Sequence, residues 1–246
     1  MESTLAAAVG EFVGTAVLIL LGDGIVAGAL LARSKAANAG WMAITTAWGL
    51  AVFLGIVVAA ALGDADRHLN PAFTIASVLM TGHAERLWIY MPAQLAGAFV
   101  GAVLVWIFYL PHWKVTENPA DKLGAFCTIP AIRHPLSNFV CEVIGTFVLV
   151  LAATALTSRR LAPGGTPPGI GPVLVGGLVW SIGLSLGGTT GYAINPVRDL
   201  GPRLAHALLP IAGKGGSDWG YAWVPILGPI CGAVLAALFV KWSGMQ

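Results

Sequence analysis

The stretch HLNPAFTI, residues 68–75, returns in altered form as AINPVRDL, residues 193–200, and these two segments decide the fold. Asn followed by Pro is typical of a helix start, with Asn as the N-cap and Pro at the first helical position. Each copy continues as an apolar run that is too short to cross a membrane. We therefore predict two short helices that begin directly after Asn70 and Asn195.

The rest of the chain is strongly apolar. Of its 246 residues, 57% are hydrophobic and 10% are charged, whereas soluble domains have roughly 25% charged residues. Six apolar segments are each near the ~20 residues that cross a hydrocarbon core; they cover residues 5–31, 41–63, 87–110, 136–157, 170–188 and 221–242. Unbroken apolar runs favour helices over the alternating strands of a β-barrel. We predict an all-α membrane protein with six transmembrane helices and two re-entrant half-helices.

The chain repeats one pattern. GEFVGTAVLIL at 10–20 resembles CEVIGTFVLVL at 141–151, and LAGAFVGAVL at 95–104 resembles LGPICGAVLA at 227–236. Each half has three spans, an odd number, so the second half must enter the bilayer inverted relative to the first. We predict a single transmembrane channel domain over residues 1–246, with repeat 1 at 1–110, a connecting loop at 111–134 and repeat 2 at 135–246.

In an inverted repeat, the two short helices enter from opposite faces and their N-termini meet near the middle of the membrane. The predicted pore centre consists of Asn70, Pro71, Ala72, Asn195, Pro196 and Val197. Helix N-termini carry partial positive charge. Such a centre repels cations and hydrated protons, and the two Asn amides can donate hydrogen bonds to a polar solute.

Three carboxylates are assigned to the membrane interior: Glu11, Glu142 and Asp199. Such groups are costly in a bilayer and usually face protein or a cavity. We interpret Glu11 and Glu142 as structural acceptors for the re-entrant loops; charges at helix ends and pore-lining groups are the alternatives.

Arg198 follows Asn195 by three residues, so on a helix both face the same side and Arg198 becomes a donor to solute. Asp199 points about 100° away and is expected to hold the loop. An interfacial Arg–Asp pair is the alternative.

These features resemble the major intrinsic protein family of aquaporins and aquaglyceroporins over essentially the whole chain. The segment GYAINPVRDLGPR is similar to the glycerol facilitator branch. The resemblance implies an aquaporin-like fold with a selectivity filter of Trp48, Gly183, Tyr192 and Arg198. It also implies pore-lining backbone carbonyls at Arg67, His68, Gly191, Tyr192 and Ala193.

In such a filter, Trp48 and Tyr192 supply an apolar corner for a carbon chain, Arg198 donates to hydroxyls, and Gly183 widens the constriction by its lack of a side chain. Taken alone, Trp48 could instead be an interfacial anchor and Gly183 a packing residue.

The chain departs from the family pattern at three points. Val197 stands where Ala is usual, and Tyr192 stands where the best-known glycerol facilitators have Phe. Asp66 and Arg67 stand where small residues are common. A charge there would bias solute entry at the inner mouth; a solvated loop position for Arg67 is the alternative.

The resemblance implies a passive multi-pass channel for glycerol and other small neutral solutes, and also for water. It implies a homotetramer in the lipid bilayer of a bacterial inner membrane, and we expect no nucleic-acid partner. Within the family, the alternatives are a channel for lactic acid, propanediol or urea, or a mainly water-conducting pore. Outside it, the alternative is a proton-coupled transporter that acts through Glu11 or Glu142.

We expect no enzymatic activity and no catalytic residues, because the five histidines are scattered and form no nucleophile–base group. The three cysteines have no metal-binding spacing, so no metal or other cofactor is predicted.

Overall fold

The computed structural model describes residues 2–158, 160–161, 163–167 and 169–245. Within these ranges the chain is all-helical and has no strand, which confirms the predicted fold class. The ten helices are α1 Glu2–Leu30, α2 Gly40–Ala61, α3 Pro71–Thr81, α4 Glu85–Phe108, α5 Leu110–Val115, α6 Pro119–Gly124, α7 Pro135–Thr157, α8 Ile170–Leu186, α9 Pro196–Leu208 and α10 Trp223–Ser243.

A helix lies at each of the six predicted spans. Helices α1, α2, α4, α7 and α10 are long and apolar enough to cross a membrane. The sixth, α8, has 17 residues and is about 26 Å long at 1.5 Å per residue, slightly less than a hydrocarbon core of about 30 Å. Predicted and observed bounds agree to within a few residues, because apolar composition sets where these helices begin and end.

The two Asn-Pro segments begin the short helices α3 and α9, of 11 and 13 residues. The side chain of Asn70 accepts a hydrogen bond from the backbone N–H of Ala72 at 2.9 Å, and Asn195 accepts one from Val197 at 3.2 Å. Pro71 and Pro196 are the first helical residues. At about 17 and 20 Å, neither helix can cross a bilayer.

Close glycine contacts join matching helix pairs. A Cβ added to Gly101 of α4 would lie 2.6 Å from the carbonyl oxygen of Ala16 in α1, and one added to Gly232 of α10 would lie 3.0 Å from the backbone nitrogen of Phe147 in α7. Each pair can therefore approach until backbones touch. One short helix packs against each pair, since α9 contacts α4 and α3 contacts α10.

The connecting loop is more ordered than its polar sequence indicates. It contains α5 and α6, and its Phe126 is fully buried and stacks on Trp113 at 5.3 Å between ring centroids. The loop therefore packs into the helical bundle, where the carbonyl oxygen of Phe126 accepts a hydrogen bond from Arg198.

Candidate solute pore

A cavity of about 290 Å³ lies at the junction of the two halves. Its walls are mostly apolar and come from α1, α2, α7 and α8, together with the segments that precede α3 and α9. Asn70 and Asn195 both contribute to its lining, so the N-termini of both short helices meet at this cavity.

Each of the two Asn side chains joins one half of the chain to the other. The amide nitrogen of Asn70 donates to the carbonyl oxygen of Ile194 at 2.8 Å, and that of Asn195 donates to Leu69, also at 2.8 Å. An Asn amide has two N–H groups, so each retains one for a solute. The helix N-termini add partial positive charge at the same point.

The other predicted pore-centre residues lie outside the cavity lining and hold the two Asn residues in place. Pro71 and Pro196 start their helices, and Ala72 and Val197 donate their backbone N–H groups to the two Asn caps. The side chains of Ala72 and Val197 are 0% and 4% exposed and do not line the cavity.

The segments before the two short helices have an unusual backbone. Arg67 and Leu69 have φ values of 53° and 51°, and Tyr192 and Ile194 have values of 38° and 43°. This left-handed conformation is uncommon for residues other than glycine. The positions match between the two halves: Arg67 and Tyr192 each lie three residues before their Asn, and Leu69 and Ile194 each lie one residue before it.

Two buried carboxylates fix these segments. Glu11 accepts hydrogen bonds from the backbone N–H groups of His68 at 2.5 Å and Leu69 at 2.7 Å. Glu142 accepts from Ala193 at 3.0 Å and Ile194 at 2.9 Å. Both carboxylates are at most 1% exposed and do not line the cavity. Their contacts are those of structural acceptors, not of pore-lining groups or helix-end charges.

Four of the five residues that were predicted to offer backbone carbonyls to the pore border the cavity. Arg67, His68, Tyr192 and Ala193 line the cavity. Gly191, the fifth predicted carbonyl residue, instead packs against Thr128, with 3.4 Å from a hypothetical Cβ to the Thr128 methyl carbon.

Trp48, Tyr192 and Arg198 come together at the cavity wall. The guanidinium carbon of Arg198 lies 4.0 Å from the centre of the Trp48 ring, which is within the range of a cation–π contact. Trp48 is only 4% exposed and stands inside α2, so it is not an interfacial anchor.

Gly183 does not border the cavity directly, and this changes the role inferred for it. A Cβ at Gly183 would lie 2.7 Å from Cζ and 2.9 Å from the hydroxyl oxygen of Tyr192. The Tyr192 ring therefore occupies the space that the missing side chain leaves. The missing side chain of Gly183 therefore makes room for this ring and not directly for the cavity.

The Tyr192 hydroxyl is buried and has no hydrogen-bond partner among the described residues. The ring also meets the edge of Trp41, 5.8 Å away between centroids, and Trp41 donates to the carbonyl oxygen of Gly183 at 3.0 Å. Tyr192 thus presents its ring to the cavity and keeps its hydroxyl in the protein.

Arg198 and Asp199 do not pair with each other. Asp199 is fully buried and forms a two-point ion pair with Arg203, at 2.6 and 2.9 Å, and it accepts hydrogen bonds from the backbone and hydroxyl of Thr128. Asp199 thus anchors the connecting loop to α9. The interfacial Arg–Asp alternative does not describe this pair.

Arg198 is held through one nitrogen. Its Nη1 donates to the carbonyl oxygen of Phe126 at 3.3 Å and to the Asp23 carboxylate at 3.2 Å. No acceptor for Nε or Nη2 exists among the described residues, so these two nitrogens remain available to a solute.

Sequence analysis missed Asp23, which is fully buried in α1, and did not identify the partner of Asp199, Arg203. The signal for Asp23 was available: it is a carboxylate inside the first predicted span, where a charge needs a partner. Nothing in the sequence identifies Phe126 as a contact of Arg198, since that contact depends on how the connecting loop folds.

Asp66 and Arg67, which precede α3, differ in their surroundings. Asp66 forms an ion pair with Arg86 at 2.7 Å and accepts a hydrogen bond from the Tyr90 hydroxyl at 2.6 Å. Arg67 lines the cavity and forms no ion pair with any residue in the described ranges. The charge of Asp66 is therefore balanced, whereas Arg67 leaves positive charge at the cavity wall.

A helical membrane bundle whose cavity lies where two half-helices meet is an arrangement found in membrane channels and transporters. The family model described as "Major intrinsic protein" matches residues 1–240, and the chain belongs to this family of membrane channels and facilitators. The resemblance inferred from the sequence is thereby confirmed.

Individual relatives match over nearly their whole length. The chain is 51% identical over 236 residues to a probable glycerol uptake facilitator protein of Thermotoga maritima, covering 94% of this chain and 97% of the relative. It is 52% identical over 231 residues to glycerol uptake facilitator protein 3 of Lactiplantibacillus plantarum, covering 93% of each.

Among solved structures, the aquaglyceroporin from Plasmodium falciparum matches with a TM-score of 0.82 and 31% identity, covering 97% of this chain and 96% of that one. This likeness confirms the aquaporin-like fold.

Proposed function

We propose that the chain is a passive channel that conducts glycerol and other small neutral solutes, together with water. The observation that carries the proposal is the Arg198–Trp48 pair at the cavity wall: a flat aromatic surface lies against a guanidinium with two unused donor nitrogens. A polyol has the matching two sides, a carbon chain and a row of hydroxyls. The names of the relatives from Thermotoga maritima and Lactiplantibacillus plantarum point to the same solute.

A passing solute exchanges its water shell for fixed contacts. Its carbon atoms lie against Trp48 and Tyr192, and its hydroxyls accept hydrogen bonds from Arg198. At the centre, the free N–H groups of Asn70 and Asn195 donate hydrogen bonds to the solute hydroxyls in place of Arg198. Carbonyl groups of the flanking segments accept hydrogen bonds from the hydroxyls, so each hydroxyl has both a donor and an acceptor in the narrow part of the pore.

The same cavity excludes ions. Its largely apolar walls cannot replace a hydration shell, and the two helix N-termini repel cations, including hydrated protons. Selection thus follows from pore width, hydrogen-bonding pattern and central potential.

A coupled mechanism through Glu11 or Glu142 is disfavoured by their contacts. Each carboxylate already accepts at least two short hydrogen bonds and is buried away from the cavity. A proton carrier has to exchange protons with the transport path, which neither group borders. We infer passive flow in both directions and no enzymatic activity.

We further propose that residues 1–246 form a single channel domain of two inverted repeats, with boundaries as predicted above. The domain would be a multi-pass protein of a bacterial inner membrane and assemble as a homotetramer with one pore per subunit. Exposed apolar side chains on the long helices, such as Leu50 and Val140 at 55% and 51%, support contact with lipid or neighbouring subunits. The bacterial sources of the two relatives support the location.

The experiment is stopped-flow light scattering on proteoliposomes that contain the purified chain. Water, glycerol, urea, propanediol and lactic acid are compared with empty liposomes. We expect glycerol to equilibrate well above the background rate and without accumulation. Glycerol flux equal to that of empty liposomes, or accumulation driven by a pH gradient, would contradict the proposal.

A further inference from the structure

The buried carboxylate of Asp23 has no part in the proposed conduction path for glycerol. It belongs to α1 and is fully buried. Its Oδ1 lies 3.2 Å from Nη1 of Arg198, and its Oδ2 has no hydrogen-bond partner among the described residues. A half-satisfied carboxylate inside a transmembrane helix is costly, so its position beside the filter arginine requires an explanation.

The neighbouring residue of Asp23 contacts the other main member of the filter. A Cβ on Gly22 would collide with three ring atoms of Trp48. Residues 22 and 23 thus hold both filter partners from one turn of α1: Gly22 gives room to the Trp48 ring, and Asp23 binds the guanidinium that lies on that ring.

The contacts of Arg198 leave little freedom to its side chain. Asp23 and the Phe126 carbonyl both bind Nη1, and the guanidinium carbon lies 4.0 Å from the Trp48 ring centre. Both printed hydrogen bonds use Nη1, so Nε and Nη2 are left without a partner among the described residues. Without the carboxylate, the bond to Phe126 and the contact with the Trp48 ring would be left to oppose rotation of the guanidinium.

We infer that Asp23 is a positioning residue that sets the solute specificity of this channel. It holds the Arg198 guanidinium over the Trp48 ring, so that Nε and Nη2 are presented to solute hydroxyls. The inference rests on the proposed polyol filter and deepens it, because it names what orients the filter donor.

The test is a double-mutant cycle of Asp23→Val and Arg198→Ala, read as the ratio of glycerol to water flux in proteoliposomes. Val has nearly the volume of Asp but neither its charge nor an acceptor. Because hydrogen bonds to charged groups are the stronger ones, we expect Asp23→Val to lower the ratio about tenfold or more. Asp23→Asn keeps an acceptor at the same place, and we expect a loss of about threefold.

In the Arg198→Ala background, Asp23→Val should change the ratio by less than about twofold, since residues that act through one contact are not additive. The double variant replaces a buried ion pair by apolar groups, which is often neutral for stability. Glu117→Gln serves as the control, because Glu117 is an exposed carboxylate outside the pore; it should leave both fluxes unchanged.

A purely structural role of Asp23 would lower water and glycerol flux together and equally in both backgrounds, and that result would overturn the inference. If Asp23→Val does not insert into liposomes, the same double-mutant cycle is measured with Asp23→Asn. An equal effect on the glycerol-to-water ratio in both backgrounds would again overturn the inference. If the wild-type chain conducts urea or lactic acid instead of glycerol, the proposed substrate is wrong. The cycle read with the conducted solute still tests Asp23.

Discussion

Replacing Gly183 by Ala should narrow the pore for glycerol much more than for water. The added Cβ would lie 2.7 Å from Cζ of Tyr192 and 3.0 Å from Cε2, whereas carbon atoms in contact prefer about 3.5–4.0 Å. To relieve the 2.7 Å contact, the ring must therefore move by roughly 0.8–1.3 Å. Gly187 also lies against this ring and blocks a retreat along α8, so the ring moves towards the cavity.

The size of the effect follows from the cost of overpacking, about 1–3 kcal/mol for one extra methyl group in a well-packed site. If that cost appears in the barrier to permeation, glycerol flux falls by about fivefold to more than a hundredfold, since about 1.4 kcal/mol corresponds to a factor of ten. Water is smaller and touches the ring less, so we expect its flux to fall only a few-fold.

Stopped-flow light scattering on proteoliposomes measures both fluxes, normalised to the amount of inserted protein. Gly177→Ala is a matched control, because Gly177 lies in the same helix and no atom approaches a Cβ there within 4 Å. It gains the same helix propensity without the collision. The double variant Gly183→Ala with Tyr192→Ala removes the ring and should recover glycerol flux. Wild-type glycerol flux in Gly183→Ala would refute the conclusion that the Tyr192 ring bounds the constriction.

Three further substitutions test the surroundings of the pore. Tyr192→Phe removes a buried hydroxyl without a partner; glycerol flux should stay within about twofold, and a tenfold loss in the same assay would mean that the hydroxyl binds solute. Val197→Ala deletes two buried methyl groups that do not line the cavity. Thermal unfolding in detergent should show a loss of about 1.5 kcal/mol with unchanged glycerol flux; a change in selectivity would show that Val197 reaches the pore. Glu142→Gln replaces the acceptor of two backbone N–H groups and the Thr190 hydroxyl. We expect a loss of about 2–3 kcal/mol in the same unfolding experiment and reduced glycerol flux, and wild-type stability would argue against its anchoring role.

The sequence was sufficient to predict the spans and the short helices, because local properties determine them. Hydropathy sets the length of a membrane helix, and an Asn-Pro pair sets a helix start wherever it lies. The pairing of Asn70 with Asn195 followed from the repeat, since two matched helix starts in opposite orientations have to meet.

The surroundings of the filter could not be predicted, because they depend on packing between distant segments. Nothing in the sequence around Gly183 indicates that an aromatic ring fills its place, and nothing in the connecting loop indicates that Phe126 is buried in the bundle. Asp23 was detectable as a carboxylate within a span, but its partner Arg198 depends on how α1 and α9 are placed in the fold.

The pore centre and the filter differ in how firmly they are fixed, and this difference indicates where specificity can change. At the centre, Asn70 and Asn195 each bind their own helix and the loop of the other half. Buried carboxylates hold the same loops in left-handed conformations that cost about 1–3 kcal/mol each. A substitution there disturbs several contacts at once and endangers the fold. At the filter, Asp23 contacts Arg198 through one hydrogen bond, and Gly183 provides the space that the Tyr192 ring fills. Substitutions at Asp23 and Gly183 can therefore shift solute preference while the centre stays intact.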